Sequence, residues 1–257
     1  MERTGILIIG HGSSKSYWVH MVDEAVRMLR ADVPIVPCFL EIVEGRLIED
    51  GIRALESQGV ERIIAIPLFV ASGSMHIDEI GMMLGVIPPD QVHTDELIEP
   101  IQTQAKIVYC APMDDHPLIV DILEERIREL SIDPREEVLL LVGHGADEGK
   151  YHASWEKVLQ RLTTNLRERC GFKGATYGTL HPNNLRRRAE AVSSKNRTIV
   201  IPLFLSEGYF TDKVIPSALE GLSYLYNGKT YLPHANVSRW LQAGIDRELN
   251  KLHLKTV

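Results

Sequence analysis

No two cysteines in this sequence stand close enough to form a CxxC pair. Cys38, Cys110 and Cys170 are scattered singly, which argues against a disulfide framework, a zinc knuckle or a cysteine-held cluster, and fits a reducing cytoplasm. No apolar run approaches the roughly 18–20 residues that a bilayer-crossing helix needs. The first residues, "MERTGILIIGHGS", enter a strand-like run with no signal-peptide layout. Excess positive charge is missing too: the net charge is -7. A nonspecific nucleic-acid binder needs a basic footprint, so that class is disfavoured, whereas a local patch can still meet a small anionic ligand. Neither GxGxxG nor GxxxxGK(S/T) occurs. A nucleotide loop is therefore not expected, and nothing implies ATP.

What is present is a chain of 257 residues, 44% apolar and 25% charged, within the range of globular proteins. It is written twice. "GILIIGHGS" (5–13) returns as "LLLVGHGA" (139–146), and "RIIAIPLFVASG" (62–73) returns as "TIVIPLFLSEG" (198–208). Gly10 pairs with Gly143 at an offset of 133 and Ile66 with Ile201 at 135, so the two matches report one internal duplication. Strand-like runs fall at 5–10, 34–40, 62–69 and 106–111 in the first copy, with helical patterns near 16–30, 46–58 and 116–130. The second copy reads as strands at 138–143, 174–180, 198–205 and 229–232, with helices at 153–169, 184–194 and 236–252. Continuous apolar strands alternating with helices predict parallel sheets buried on both faces. The expected fold is α/β, with two similar lobes around a central cleft, each a parallel sheet flanked by helices. The repeat boundary lies in the polar linker "LSIDPREE", giving an N-terminal lobe over 1–132 and a degenerate C-terminal lobe over 133–257.

In open parallel sheets, ligands collect at the carboxyl ends of the strands. His11, Glu41 and His76 are placed at such ends by the strand pattern alone. Each has an unremarkable explanation by itself: a turn histidine beside a helix cap at Ser13 or Ser14, a solvated loop edge, a surface histidine. Together they offer two imidazoles and a carboxylate, a set suited to a transient divalent metal ion or to proton transfer. A phosphate-ester enzyme using "GHGS" is a poorer match, because no acidic pair for two metals is apparent. His20, His93 and His253 read as exposed. His116 reads as the opening of a helix, with Asp114 or Asp115 as its cap and Pro117 in its first turn. Arg186–Arg188 reads as a solvated helix face, and Trp18 and Trp155 as packing residues on the first helix of each copy.

"GILIIGHGS", followed by "CFLEIVEGRLIEDGIRALESQGVERIIAIPLFVASGSMHIDEI" and "IVYCAPMDDHPLIVDILEERI", resembles the class II tetrapyrrole chelatases, among them the sirohydrochlorin cobaltochelatases and ferrochelatases. The resemblance runs over nearly the whole chain as two copies, like the long, duplicated members. It departs from the family in "GSMHIDEIG", which has an extra residue before the histidine and no following proline, and in lacking a histidine-rich tail or cysteine cluster. It implies a lyase that inserts Co2+, Fe2+ or Ni2+ into sirohydrochlorin, without ATP, in cobalamin or siroheme biosynthesis. His11 and His76 would be its catalytic, metal-holding histidines and Glu41 their acidic helper. The substrate would carry many carboxylates, for which Ser13, Ser14, Lys15, Ser72 and Ser74 are candidates, with Arg46 or Lys213 behind them. No permanently bound cofactor is implied; the metal is a substrate. The expected partners are the tetrapyrrole and the ion, with no nucleic acid or membrane, in a cytoplasmic monomer or homodimer. The competing class is a non-catalytic two-lobed protein that holds a metal or a tetrapyrrole, separable by turnover of free sirohydrochlorin. In the second copy His144 matches His11, His181 lies near the position of Glu41, and Thr211 replaces His76. A scaffold lobe is expected there, with Tyr209 and Phe210 as an apolar wall.

Overall fold

A computed structural model describes residues 2–88, 98–147 and 149–254. His93 and the side chain of His253 lie outside the described residues. The chain divides into two compact units: Met1–Phe69, Met75–Pro112 and Ser238–Val257 form the first, and Val70–Ser74 with Met113–Val237 form the second. The repeat boundary expected at 132/133 is a boundary in sequence, and the compact units cut the chain elsewhere.

The first unit holds a four-stranded parallel sheet of β1 (Thr4–Gly10), β2 (Ile35–Phe39), β3 (Arg62–Pro67) and β4 (Lys106–Tyr109), in the order β2-β1-β3-β4. Every residue of β1 is buried, because its continuous apolar run is covered on both faces. Helix α1 (Ser16–Arg27) follows β1, and α2 (Ile48–Glu56) follows β2. Ile48, Ile52 and Leu55 of α2 recur at helical spacing and are fully buried with Leu7, Ile9 and Ile63. An amphipathic stripe of this kind is stabilised mainly by the area it buries. Truncating Ile52 to alanine would cost about 2–5 kcal/mol.

One helix was not expected. Residues Met75–Met83 form α3, so His76 stands in the first turn of a helix and not on a bare strand-end turn. The final helix, α8 (Ala235–Leu254), contributes Ser238 onward to the first unit. There the Ser238 hydroxyl donates to the Ala25 carbonyl (2.9 Å), and the Gln242 amide donates to that of Arg30 (2.8 Å).

The second unit holds β5 (Glu137–Gly145), β6 (Gly174–His181) and β7 (Arg197–Pro202), parallel and ordered β6-β5-β7. Helices α5 (Gly149–Cys170), α6 (Leu185–Ser193) and α7 (Ile215–Ala218) belong to it, and so does α4 (Pro117–Arg128), which packs against α5 and β7. Trp155 of α5 is buried, as expected. His116 caps α4 itself: its Nδ1 accepts from the Leu118 N–H at 3.2 Å, while Asp114 instead accepts from the Ser72 N–H at 2.7 Å. The strand expected at 229–232 is absent. Tyr231 and Leu232 are buried, but each sends only its own N–H to the carbonyls of Phe204 and Leu205, at 3.1 and 2.7 Å. Such single links satisfy the backbone without a ladder. Cys38, Cys110 and Cys170 are free, and burial pushes the Cys110 thiol up to about 11. Among the described residues no helix is long and apolar enough to cross a membrane.

Candidate active site

The site grows from the corner that follows β1. The ladder between β1 and β2 continues past both strands, with Leu40 N–H donating to the Gly10 carbonyl (2.8 Å) and Glu41 N–H to that of His11 (3.0 Å). Gly12 has φ +110°, and a Cβ there would sit 1.9 Å from the Glu41 carbonyl oxygen. Only glycine lets the two strand ends close so tightly in this backbone region. The closure brings the Glu41 carboxylate to 3.5 Å from His11 Nδ1. From β3, the first turn of α3 supplies His76, whose Nε2 lies 3.2 Å from His11 Nε2, with ring centres 4.6 Å apart and nearly perpendicular. Phe69 flanks both rings at 6.3 and 6.1 Å. The Tyr109 hydroxyl anchors the start of α3 by donating to the Ile77 carbonyl at 2.8 Å. Burial pushes that phenol far above its ordinary value, so it stays a donor.

The hydrogen bonds at Nδ1 favour one placement of the ring protons. His76 Nδ1 lies 2.8 Å from Glu79 Oε2, an acceptor that wants an N–H. His11 Nδ1 faces the Gly12 carbonyl at 3.2 Å, another acceptor. With a proton on each Nδ1 both acceptors are satisfied, and each Nε2 keeps a lone pair. In that arrangement the two Nε2 atoms, 3.2 Å apart, can share a cation, and with one of them protonated they share a hydrogen bond. Two nitrogens on one tetrahedral ion, each about 2.0–2.1 Å from it, stand about 3.3 Å apart. Among the described residues, no three His, Cys, Asp or Glu side chains are grouped to hold a metal ion. The Nε2 atoms of His11 and His76 are close enough to ligate one ion together.

Of the other expected residues, Ser13 and Ser14 line a groove of about 830 Å³ together with Tyr17, Val19, Ile42 and Glu44. The Ser13 hydroxyl accepts from the Lys15 N–H at 3.1 Å. No side chain caps α1, whose cap position is Lys15, so the expected serine cap is absent. Arg46 is engaged by Asp23 through two hydrogen bonds of 2.6 and 3.0 Å. Ser72 and Ser74 belong to the second unit. Ile42 has φ 71°, an outlying conformation for a β-branched residue, one position past Glu41. Glu79 is the residue that sequence reasoning missed. Its signal was the spacing "HIDE", which becomes an i,i+3 pair once the segment is known to be helical.

The second unit repeats the corner with other side chains. Gly145 has φ +77°, and a Cβ there would lie 2.0 Å from the His181 carbonyl oxygen, the relation Gly12 has to Glu41. His181 therefore occupies the place of Glu41, and His144 that of His11. Thr211 is 1% exposed, and its hydroxyl is held by the Gly208 N–H (2.8 Å) and carbonyl (3.0 Å). It lies in a π-helical turn, Phe210–Val214. Phe210 and Phe204 stack at 5.8 Å, and His144 meets Phe210 edge-on at 5.0 Å.

Comparisons with known proteins agree with this two-fold pattern. The family model described as CbiX matches residues 5–130 and again 138–249. The chain is 28% identical over 229 residues to a sirohydrochlorin ferrochelatase of Priestia megaterium, covering 85% of this chain and 79% of that protein. It is also 28% identical over 132 residues to a sirohydrochlorin cobaltochelatase of Methanothermobacter thermautotrophicus, which takes in 49% of this chain and 92% of that protein. The structure of SirB from Bacillus subtilis with Fe3+ superposes with a TM-score of 0.71 over 95% of this chain and 94% of that one, at 18% identity. That likeness is one of fold. The two family matches each fall on one copy of the repeat and together take in nearly all of the sequence, so the chain belongs to the CbiX family.

Proposed function

We propose that this chain inserts a divalent metal ion, Co2+ or Fe2+, into sirohydrochlorin, with His11 and His76 as the groups that hold the ion and then take the protons. The named relatives, sirohydrochlorin ferrochelatase and cobaltochelatase, support the reaction. The assignment of residues is carried by one observation: two Nε2 atoms face one another at 3.2 Å, each ring with a carboxylate near its Nδ1.

The stoichiometry of insertion suits that pair. One M2+ enters the macrocycle and two pyrrole N–H protons leave. While the ion is bound, both Nε2 lone pairs are occupied. Transfer of the ion to the ring nitrogens frees both at once, and each accepts one proton. The resulting imidazolium cations are stabilised by Glu79 on His76 (2.8 Å) and Glu41 on His11 (3.5 Å). Two close protein ligands hold the ion firmly enough to position it and weakly enough to release it to four ring nitrogens. Holding the macrocycle bent would expose its nitrogens and raise the bound state toward the transition state. The groove lined by Ser13, Ser14, Tyr17 and Ile42 opens beside this corner. Ser13, Ser14 and Lys15, at the start of α1, are assigned to the substrate's carboxylates, since the unsatisfied N–H groups of a helix start favour anions.

The test is anaerobic incubation of the purified chain with sirohydrochlorin and either Co2+ or Fe2+, followed by absorbance. The expected result is conversion to the metallated ring well above the uncatalysed rate. Tight binding of either substrate without conversion would overturn the reading in favour of a holding protein.

A further inference from the structure

His11 and His76 reach the first corner by different routes. His11 follows directly on β1, whose backbone is laddered to β2 and β3 on either side. His76 stands in the first turn of α3, a helix of nine residues, and a helix that short has little stability of its own in water. Its buried residues Ile77 and Ile80 lie in an apolar cluster with Ile9, Ala65 and Phe69. Apolar burial is non-directional, so it holds the helix down without fixing where its first turn stands. Yet the two Nε2 atoms meet at 3.2 Å, a relation that a displacement of α3 by about 1 Å would spoil.

The directional tie is Tyr109. It is the last residue of β4, in register with Ala65 of β3, and the next residue, Cys110, donates its N–H to the Ala65 carbonyl at 2.9 Å. The Tyr109 hydroxyl donates to the carbonyl of Ile77, the residue after His76, at 2.8 Å. Strands β1, β3 and β4 are successive neighbours in one sheet. Both histidines are therefore referenced to the same ladder, His11 at the end of β1 and His76 through Tyr109 at the end of β4. Tyr109 packs, partly buried, against the apolar cluster, where a phenylalanine would fill the space without needing a partner. One neutral hydrogen bond adds little net stability. What it adds is a fixed length and direction, and the cost of leaving a buried hydroxyl unpaired disfavours other placements of α3.

We propose that Tyr109 is a positioning residue for His76, setting the first turn of α3 so that His76 Nε2 and His11 Nε2 meet across one ion. The inference rests on the reading of that pair as the metal-holding groups. Glu79 orients the His76 ring through the 2.8 Å contact at Nδ1, and Tyr109 places the backbone that carries the ring. Tyr109 acts through the Ile77 carbonyl and takes no part in ligation or proton transfer.

The experiment titrates CoCl2 alone into the full chain without an affinity tag, followed by the visible d–d absorption, and measures insertion separately. Tyr109→Phe is made in the wild type and in His76→Ala. In the wild type it is expected to weaken cobalt binding about ten-fold and to lower kcat about ten-fold, with KM for sirohydrochlorin unchanged. The melting temperature should fall by no more than about 2–4 °C. In His76→Ala the same substitution should leave the remaining cobalt affinity unchanged, while any shift in melting temperature persists in both backgrounds. A purely structural role would give equal losses in the two backgrounds, and that result would overturn the proposal. So would a cobalt affinity in Tyr109→Phe equal to that of the wild type. Failure of the insertion reading looks different: cobalt binding would depend on His76 and Tyr109 as expected, yet no ring would be metallated. Wild-type cobalt binding that is absent, or indifferent to His76→Ala, would overturn both.

Discussion

The two units place a histidine at the same corner and surround it differently. Both have Gly–His–Gly at the end of the first strand of the sheet, a glycine with positive φ pressed under the next strand end, and a phenylalanine after the third strand. In the first unit Glu41 and the α3 pair His76–Glu79 complete the corner. In the second, His181 and Asp147 do so, and Thr211 turns inward to cap its own backbone. The shared part is backbone, set by glycines and by ladder hydrogen bonds. The part that differs is chemistry, and it turns on which of two elements carries the second histidine.

The sharpest way to break this comparison is to remove a histidine from the first corner. His11→Ala and His76→Ala should each lower insertion by at least about a hundred-fold while leaving the circular dichroism spectrum unchanged. Wild-type turnover in either variant would mean that the first corner is not the working one. Glu79→Gln should slow insertion by about 10–100-fold. Glu41→Gln should cost less than about ten-fold, since that carboxylate is farther from its ring and half exposed. Equal losses would show that the two carboxylates are interchangeable. Insertion by the wild type should fall as the solution is made acid, because a protonated imidazole has no lone pair for the ion. A rate that does not change from about pH 5 to pH 8 counts against histidine ligands.

Two smaller effects separate the scaffolds. Gly12→Ala and Gly145→Ala should each destabilise by about 2 kcal/mol or more, read from denaturant melts, because both combine positive φ with a backbone clash. Only Gly12→Ala should abolish insertion. Glu137 begins β5 where Thr4 begins β1, and it pairs with Arg197 at 2.8 Å. In the first unit the matching Arg62 pairs with Glu2 instead. Burial alone would raise the Glu137 carboxyl, but the Ser131 hydroxyl, the Ile132 N–H and Arg197 together hold it below the usual carboxylate range. A depressed folded value means stability that is present above the unfolded value and lost as pH falls through the folded one. Glu137→Ala should therefore cost about 1–3 kcal/mol at neutral pH. That difference from the wild type should shrink toward zero in acid. A difference that is constant across pH would mean packing, not charge, keeps Glu137 in place.

Much of this molecule could be read from the chain. The continuous apolar runs that become β1, β3, β5 and β7 admit few alternatives; the glycine turn after β1 puts His11 at a strand end, and the end of the run 34–40 does the same for Glu41. Helix α3 was hidden because Met75–Met83 is short, contains Gly81 and has no clean polar face. Without that helix, Glu79 was only another acidic residue near a histidine. The false strand at 229–232 arose because burial alone imitates a sheet: Tyr231 and Leu232 are covered by single backbone links instead of a ladder. The allocation of helices to sheets was also out of reach. An amphipathic face specifies that something apolar must cover it, and does not specify which of two similar sheets will.

The allocation that results has a consequence for how the protein is made. Helix α8 belongs to the first unit, while α4, which follows directly on from that unit's last strand, belongs to the second. On the ribosome the sheet and helix that carry His11 and His76 emerge early, yet a helix of their own unit is translated only after the entire second unit. Until then Ile66, beside which α8 passes at Gly244, lacks part of its cover. The part of the first unit's packing that α8 supplies therefore forms only after the other copy has been synthesised.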